Sequence, residues 1–223
     1  MKVTNKQITN PKGFTLIEIA IVLVIIGLLI GGVLKGQQLI ENSKVKNAAK
    51  DMNGVSAAYN GYIDQYKRLP GDDGPIATLT GRGGNWLTVT RAGNFDGVIT
   101  STAANAFTGA TAESDGFWQH LKAAGFLTGN PADQLVTALP RNAFGGLIGI
   151  TNATVMNGMT GNKVCLSQVP GKAAAALDVQ LDDGLPNTGS IQATLGVAGV
   201  NTAPGAASAA YDEGLVYTIC RSL

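Results

Sequence analysis

Residues 12–34 read KGFTLIEIAIVLVIIGLLIGGVL. From Phe14 to Leu34 the stretch carries one charge, Glu18, and no proline. As a helix it would span about 31 Å, close to the hydrocarbon thickness of a bilayer. A secretory signal peptide is the plainest alternative. The run is too long for such a core, however, and no A-x-A-like cleavage site follows it. A signal anchor fits the length equally well.

Glu18 makes the segment unusual. A carboxylate in an apolar span costs about 2–3 kcal/mol at the membrane centre and less toward an end. No Lys or Arg lies inside the span to offset it. An amino terminus newly exposed nearby would supply the missing positive charge.

Lys12-Gly13 followed by Phe14-Thr15-Leu16-Ile17-Glu18 resembles the class III signal of type IV prepilins and secretion pseudopilins. The motif combines a basic leader, glycine, phenylalanine, glutamate and an apolar run at fixed spacing. The resemblance implies cleavage by a prepilin peptidase between Gly13 and Phe14, and N-methylation of Phe14. It also implies that Glu18 pairs with the amine of a neighbouring subunit during assembly. The expected partners are other filament subunits of the same or related kind, the peptidase, the inner-membrane assembly machinery and membrane lipid. The implied location is the bacterial inner membrane as a single-pass prepilin with a periplasmic head. From there the subunit enters a surface pilus or a periplasmic pseudopilus. Charge does not decide the orientation: Lys2, Lys6 and Lys12 precede the span, and Lys35, Lys44, Lys46 and Lys50 follow it.

Beyond Lys35 the periodicity changes. Val45, Met52, Tyr59 and Tyr66 recur every seven residues, with Ala48, Val55 and Tyr62 between them. That is a narrow apolar stripe on a polar helix. Continuous from Phe14 to Tyr66, the helix would reach about 80 Å. Gly36, Gly54 and Gly61 each weaken it by about 1 kcal/mol relative to alanine. A break near Gly36 or a coiled-coil seam would use the same pattern, although three heptads with alanine make a weak seam. Leu69-Pro70-Gly71-Asp72-Asp73-Gly74 stops the helix. Many major pilins carry a proline near where Lys35 and Gly36 stand, and its absence favours a minor pilin or pseudopilin.

The expected organisation is a leader at 1–13, an apolar half-helix at 14–34, an amphipathic half at 35–69 and a β-rich head at 70–223. The fold class is α+β, a long helix packed on an antiparallel sheet as the resemblance implies. Candidate strands are Trp86–Arg91, Leu147–Thr151, Lys163–Val169, Ser190–Leu195 and Leu215–Arg221. Two short helices are expected at Phe117–Ala124, closed by Gly125, and at Lys172–Leu177. Cys165 and Cys220 are the only cysteines. In an exported head they are expected to form a disulfide, as similar pilins pin their carboxy-terminal regions, rather than to stay as two buried thiols.

Composition argues against several other functions. With 16 basic and 15 acidic side chains, the chain has no basic, aromatic-interleaved surface for nucleic acid. Asp178, Asp182 and Asp183 are weak calcium candidates, and Asp72 and Asp73 weaker ones, because neither segment has EF-hand spacing. Adjacent Asp-Asp-Gly reads as an exposed turn. His120 stands without a nucleophile motif, and Arg82-Gly83-Gly84 lacks the ending of a phosphate loop. No zinc-ligand cluster or catalytic set is present, so no resident cofactor and no enzyme activity are expected. The remaining readings are a signal-anchored periplasmic module that does not polymerise, and a tip adhesin or DNA-capturing minor pilin.

Overall fold

The computed structural model describes residues 13–223, so the leader lysines Lys2, Lys6 and Lys12 lie outside the described residues. Its elements are α1 (Leu16–Tyr66), α2 (Ile76–Thr80), α3 (Ala112–Ala123), β1 (Ile148–Thr151), β2 (Lys163–Pro170), α4 (Gly171–Leu181), β3 (Ile191–Leu195) and β4 (Val216–Ser222). The expected α+β architecture is present. The chain divides into two compact units, Met1–Glu41 and Asn42–Leu223.

In the first unit, α1 is uniformly exposed from Leu16 to Leu34. Leu28 is 74% and Leu16 92% accessible. A helix apolar on every side has no stripe to bury in its own fold and is suited to lipid or to other helices. By length and composition it can cross a membrane. It continues through Gly36 without a break, so the two-helix alternative is not realised. Residues 14 and 15 stand outside the helix, which was expected to begin at Phe14.

The second unit carries the core. Val45, Ala48, Met52, Val55, Tyr59 and Tyr62 are buried in one cluster with the sheet and α3. Lys67 ends α1 with a positive φ of 55°, and its N–H donates to the Ile63 carbonyl. This is a left-handed helix stop of the kind glycine normally provides.

The sheet is antiparallel in the order β1-β2-β4-β3. Its register puts Ile148, Ile150, Val164, Leu166, Ile219 and Ala193 on one face, in the same apolar core as the α1 stripe. The opposite face carries Thr151, Cys165, Cys220, Gln192, Thr194 and Thr218. Those polar side chains hold down loops. Thr151 Oγ1 donates to the Ser101 carbonyl at 3.0 Å, and Thr218 Oγ1 to the Thr202 carbonyl at 2.7 Å. Gln192 accepts from the Asn157 N–H and Thr194 from the Gly205 N–H, both at 2.9 Å. A Cβ at Gly149 would overlap the Ala106 carbonyl, so only glycine lets that loop lie on the sheet.

Four of the five expected strands form near their expected bounds. The fifth, Trp86–Arg91, does not. Gly84–Thr88 is a 3-10 helix instead, and the N–H groups of Thr90 and Arg91 donate to Gln119 Oε1 at 3.0 and 3.1 Å. One side chain thus takes the donors that a strand ladder would have used. α3 starts five residues before Phe117, because Thr111 and Ser114 cap each other reciprocally. α4 likewise runs beyond the expected Lys172–Leu177.

Candidate functional site

The junction residues are laid out in order. Gly13, Phe14 and Thr15 are non-helical and exposed, and among the described residues, its chain neighbours apart, nothing lies within 4 Å of where a Gly13 side chain would begin. Phe14 is 84% accessible. The Gly13–Phe14 peptide bond is therefore open to a peptidase.

Thr15 is the N-cap of α1, and Glu18 occupies its third position. The Thr15 N–H and Thr15 Oγ1 both donate to Glu18 Oε2, each at 2.8 Å. In return the Glu18 N–H donates to Thr15 Oγ1 at 3.3 Å. This is a reciprocal capping box, and its sequence signal is the Thr-x-x-Glu pattern of residues 15–18. Glu18 thus has a partner inside its own chain as well as the one expected from a neighbour. The box satisfies two backbone donors that would be orphaned at a helix start in lipid. Both side-chain bonds fall on Oε2, and Oε1 takes no hydrogen bond among the described residues. An incoming ammonium could dock on Oε1 without dismantling the cap.

The second set of sequence candidates forms a buried network instead of an exposed turn. Asp72 and Asp73 are both buried, which corrects the surface reading. Asp72 accepts from the N–H groups of Phe95 and Gly97, both at 2.8 Å. Asp73 Oδ2 accepts from Tyr62 Oη at 2.7 Å and from Arg82 Nη2 at 2.8 Å. The Arg82 guanidinium lies over the rings of Tyr66 and Trp86 at 4.4 and 4.5 Å, combining an ion pair with two cation–π contacts. Burial, and then the hydrogen bond to Asp73, push the Tyr62 hydroxyl pKa up.

His120 belongs to the same knot. Its Nδ1 accepts from the Gly71 N–H at 2.9 Å, so Nε2 carries the proton and donates to the Arg91 carbonyl at 2.9 Å. Burial lowers its pKa to about 4. A fully enclosed imidazole with both nitrogens engaged is a structural clasp between the turn after α1 and helix α3.

Asp178, Asp182 and Asp183 do converge, with carboxylate oxygens within 4.8 Å of one another. Each is engaged by the chain. Asp178 accepts from Tyr211 Oη at 2.6 Å and from the Gly184 N–H at 3.1 Å. Asp182 accepts from the Ile191 N–H, and Asp183 from the Leu185 N–H and Thr188 Oγ1. Burial is the main cause that raises the Asp178 carboxyl pKa.

Cys165 and Cys220 are joined by a disulfide at directly opposed positions of β2 and β4. The bridge spans 55 positions, and on the chain-entropy model a loop of that size is worth about 4 kcal/mol. Lys163, also buried on β2, donates to the Gly161 carbonyl. Burial lowers its pKa to about 8.

A family model, the prokaryotic N-terminal methylation motif, matches residues 8–34. No curated protein matches the chain. The matched segment ends at Leu34, where the exposed apolar run of α1 also ends. Junction, capped glutamate and apolar helix therefore lie within one recognised signal: the chain carries the N-terminal methylation motif of type IV pilins and pseudopilins.

Proposed function

We propose that this protein is a structural subunit of a type IV pilus or a related secretion pseudopilus. It is inserted as a prepilin, cut between Gly13 and Phe14, methylated on Phe14 and polymerised through α1. The observation that carries the reading is Glu18: a carboxylate on the otherwise apolar, exposed stretch of α1 from Leu16 to Leu34, with one oxygen used by Thr15 and the other open. Cleavage would create an amine at Phe14. The amine of one copy meeting Oε1 of the next neutralises both charges in a low-dielectric setting, where an unpaired charge is costly. Burial of the apolar face of α1 between copies then supplies the cohesion, at about 25 cal/mol per Å².

Absence of a helix-interrupting proline near Gly36 favours a minor pilin or pseudopilin over a major pilin. Glu18→Gln keeps the size of the side chain and removes its charge. It should insert and be cleaved as wild type yet be missing from the sheared filament fraction. Normal incorporation of that variant would refute the charge-pairing mechanism.

A further inference from the structure

A groove of about 230 Å³ runs beside the second half of α1, bordered by Asp51, Gly54 and Val55 on the helix and by Leu127, Pro140 and Ile148 opposite. Its walls are largely apolar, and Lys50 stands exposed on its rim. Asp51 is half-buried there. Among the described residues no donor or cation pairs with its carboxylate. A desolvated carboxylate beside aliphatic walls gains from a paired cation, and among the described residues none, Lys50 on the rim included, forms an ion pair with Asp51. Burial accordingly raises the Asp51 pKa.

The same chain displays candidates for that cation. Lys44 and Lys46 are exposed on α1, with no ion pair among the described residues. Lys46 lies five positions before Asp51, outside the three- and four-residue spacings that pair side chains within a helix. It is free to reach a different copy.

Resting on the filament reading above, we propose that the groove is a socket for Lys46 of a second copy of this chain, with Asp51 as its counter-ion. The stagger between copies supports the match. If the amine of Phe14 in one copy meets Glu18 of the next, parallel helices are offset by four residues, about 6 Å. That offset sets Lys46 of the first copy level with position 50 of the second, one residue, or about 1.5 Å of rise, from Asp51. It sets Lys44 three residues away. One displacement therefore satisfies a charge pair at the start of the helix and another beside the head. The apolar walls accommodate the lysine methylenes while the ammonium reaches the carboxylate.

Charge exchange tests the pairing in cells that assemble the wild-type filament. Asp51→Lys and Lys46→Glu should each lower the amount of subunit in sheared filaments by about tenfold, as expected for like charges forced together. The Asp51→Lys/Lys46→Glu double variant should restore it. Asp51→Asn should leave the thermal midpoint of the unassembled chain unchanged or raised, because no intrachain partner is lost. A second measurement does not depend on the reversed charges being tolerated. Cys165 and Cys220 are bridged, so a Lys46→Cys/Asp51→Cys variant treated with a short bis-maleimide should give a ladder of linked subunits. Lys46→Cys/Asp64→Cys should give none. Filaments of the Lys46→Cys/Asp51→Cys variant that give no ladder, together with no effect of charge reversal on assembly, would overturn the socket while leaving the filament reading intact. A wild-type chain that forms no filament at all would overturn both.

Discussion

The two halves of α1 leave their apolar side chains in different surroundings. From Leu16 to Leu34 the helix is apolar on every face and all of it is exposed. From Val45 to Tyr62 the apolar side chains are confined to one stripe, and the head covers it. A stripe is enough when the covering partner is in the same chain. An all-round apolar surface implies a surrounding partner, either lipid or a ring of like helices. The polar groups follow the same division. Glu18 sits on the exposed apolar half with one oxygen open, whereas Asp73, in the head, has hydrogen-bond donors for both of its oxygens.

Truncations test that contrast most strongly. Met52 is 0% accessible, so Met52→Ala should cost about 2–5 kcal/mol of head stability. Leu28→Ala, in the exposed half, should leave the same unfolding transition in place. Chemical denaturation of the full chain in detergent, followed by tryptophan fluorescence, measures both. Equal losses would mean that the halves are not energetically distinct.

Acid provides the next test, because His120 titrates only through the head. Its folded pKa of about 4 lies below the unfolded value of about 6.5. The stability it contributes is therefore complete above about pH 6.5 and is lost as pH falls through the folded value, about 3 kcal/mol in all. Protonating Nδ1 also breaks the bond from Gly71. The melting temperature should fall across that window, and His120→Gln should flatten the fall.

The smallest effect is expected at the end of the helix. Lys67 holds a left-handed conformation that glycine adopts without steric cost. Lys67→Gly should raise head stability by up to about 1 kcal/mol. A loss on that substitution would show that the Lys67 side chain contributes more than its backbone strain costs.

What could be read from the sequence was mostly local. The apolar run, the seven-residue stripe and the alternating strands each express a short-range period, and the structure reproduces them. The register of Cys165 against Cys220 follows once both strands are in place. The segment Trp86–Arg91 misled because its apolar and β-branched residues suit a strand, while Gln119, 29 positions from Thr90 and 28 from Arg91, takes their backbone donors. Asp73, Arg82 and Tyr62 meet only through tertiary folding, so nothing nearby in sequence marked the Asp-Asp-Gly turn as buried. The Thr15–Glu18 cap is different. Its pattern is legible at four consecutive residues, Thr15 to Glu18, where one carboxylate serves both as a charge and as a helix start.

In the proposed mechanism, Glu18 and a newly made amine at Phe14 turn a membrane helix into an assembly element. Intact mass spectrometry of subunits from sheared filaments tests it most directly. Those subunits should begin with N-methylated Phe14 and retain the Cys165–Cys220 bridge. A mature chain that still begins at Met1, or one cut after the apolar run, would contradict that mechanism.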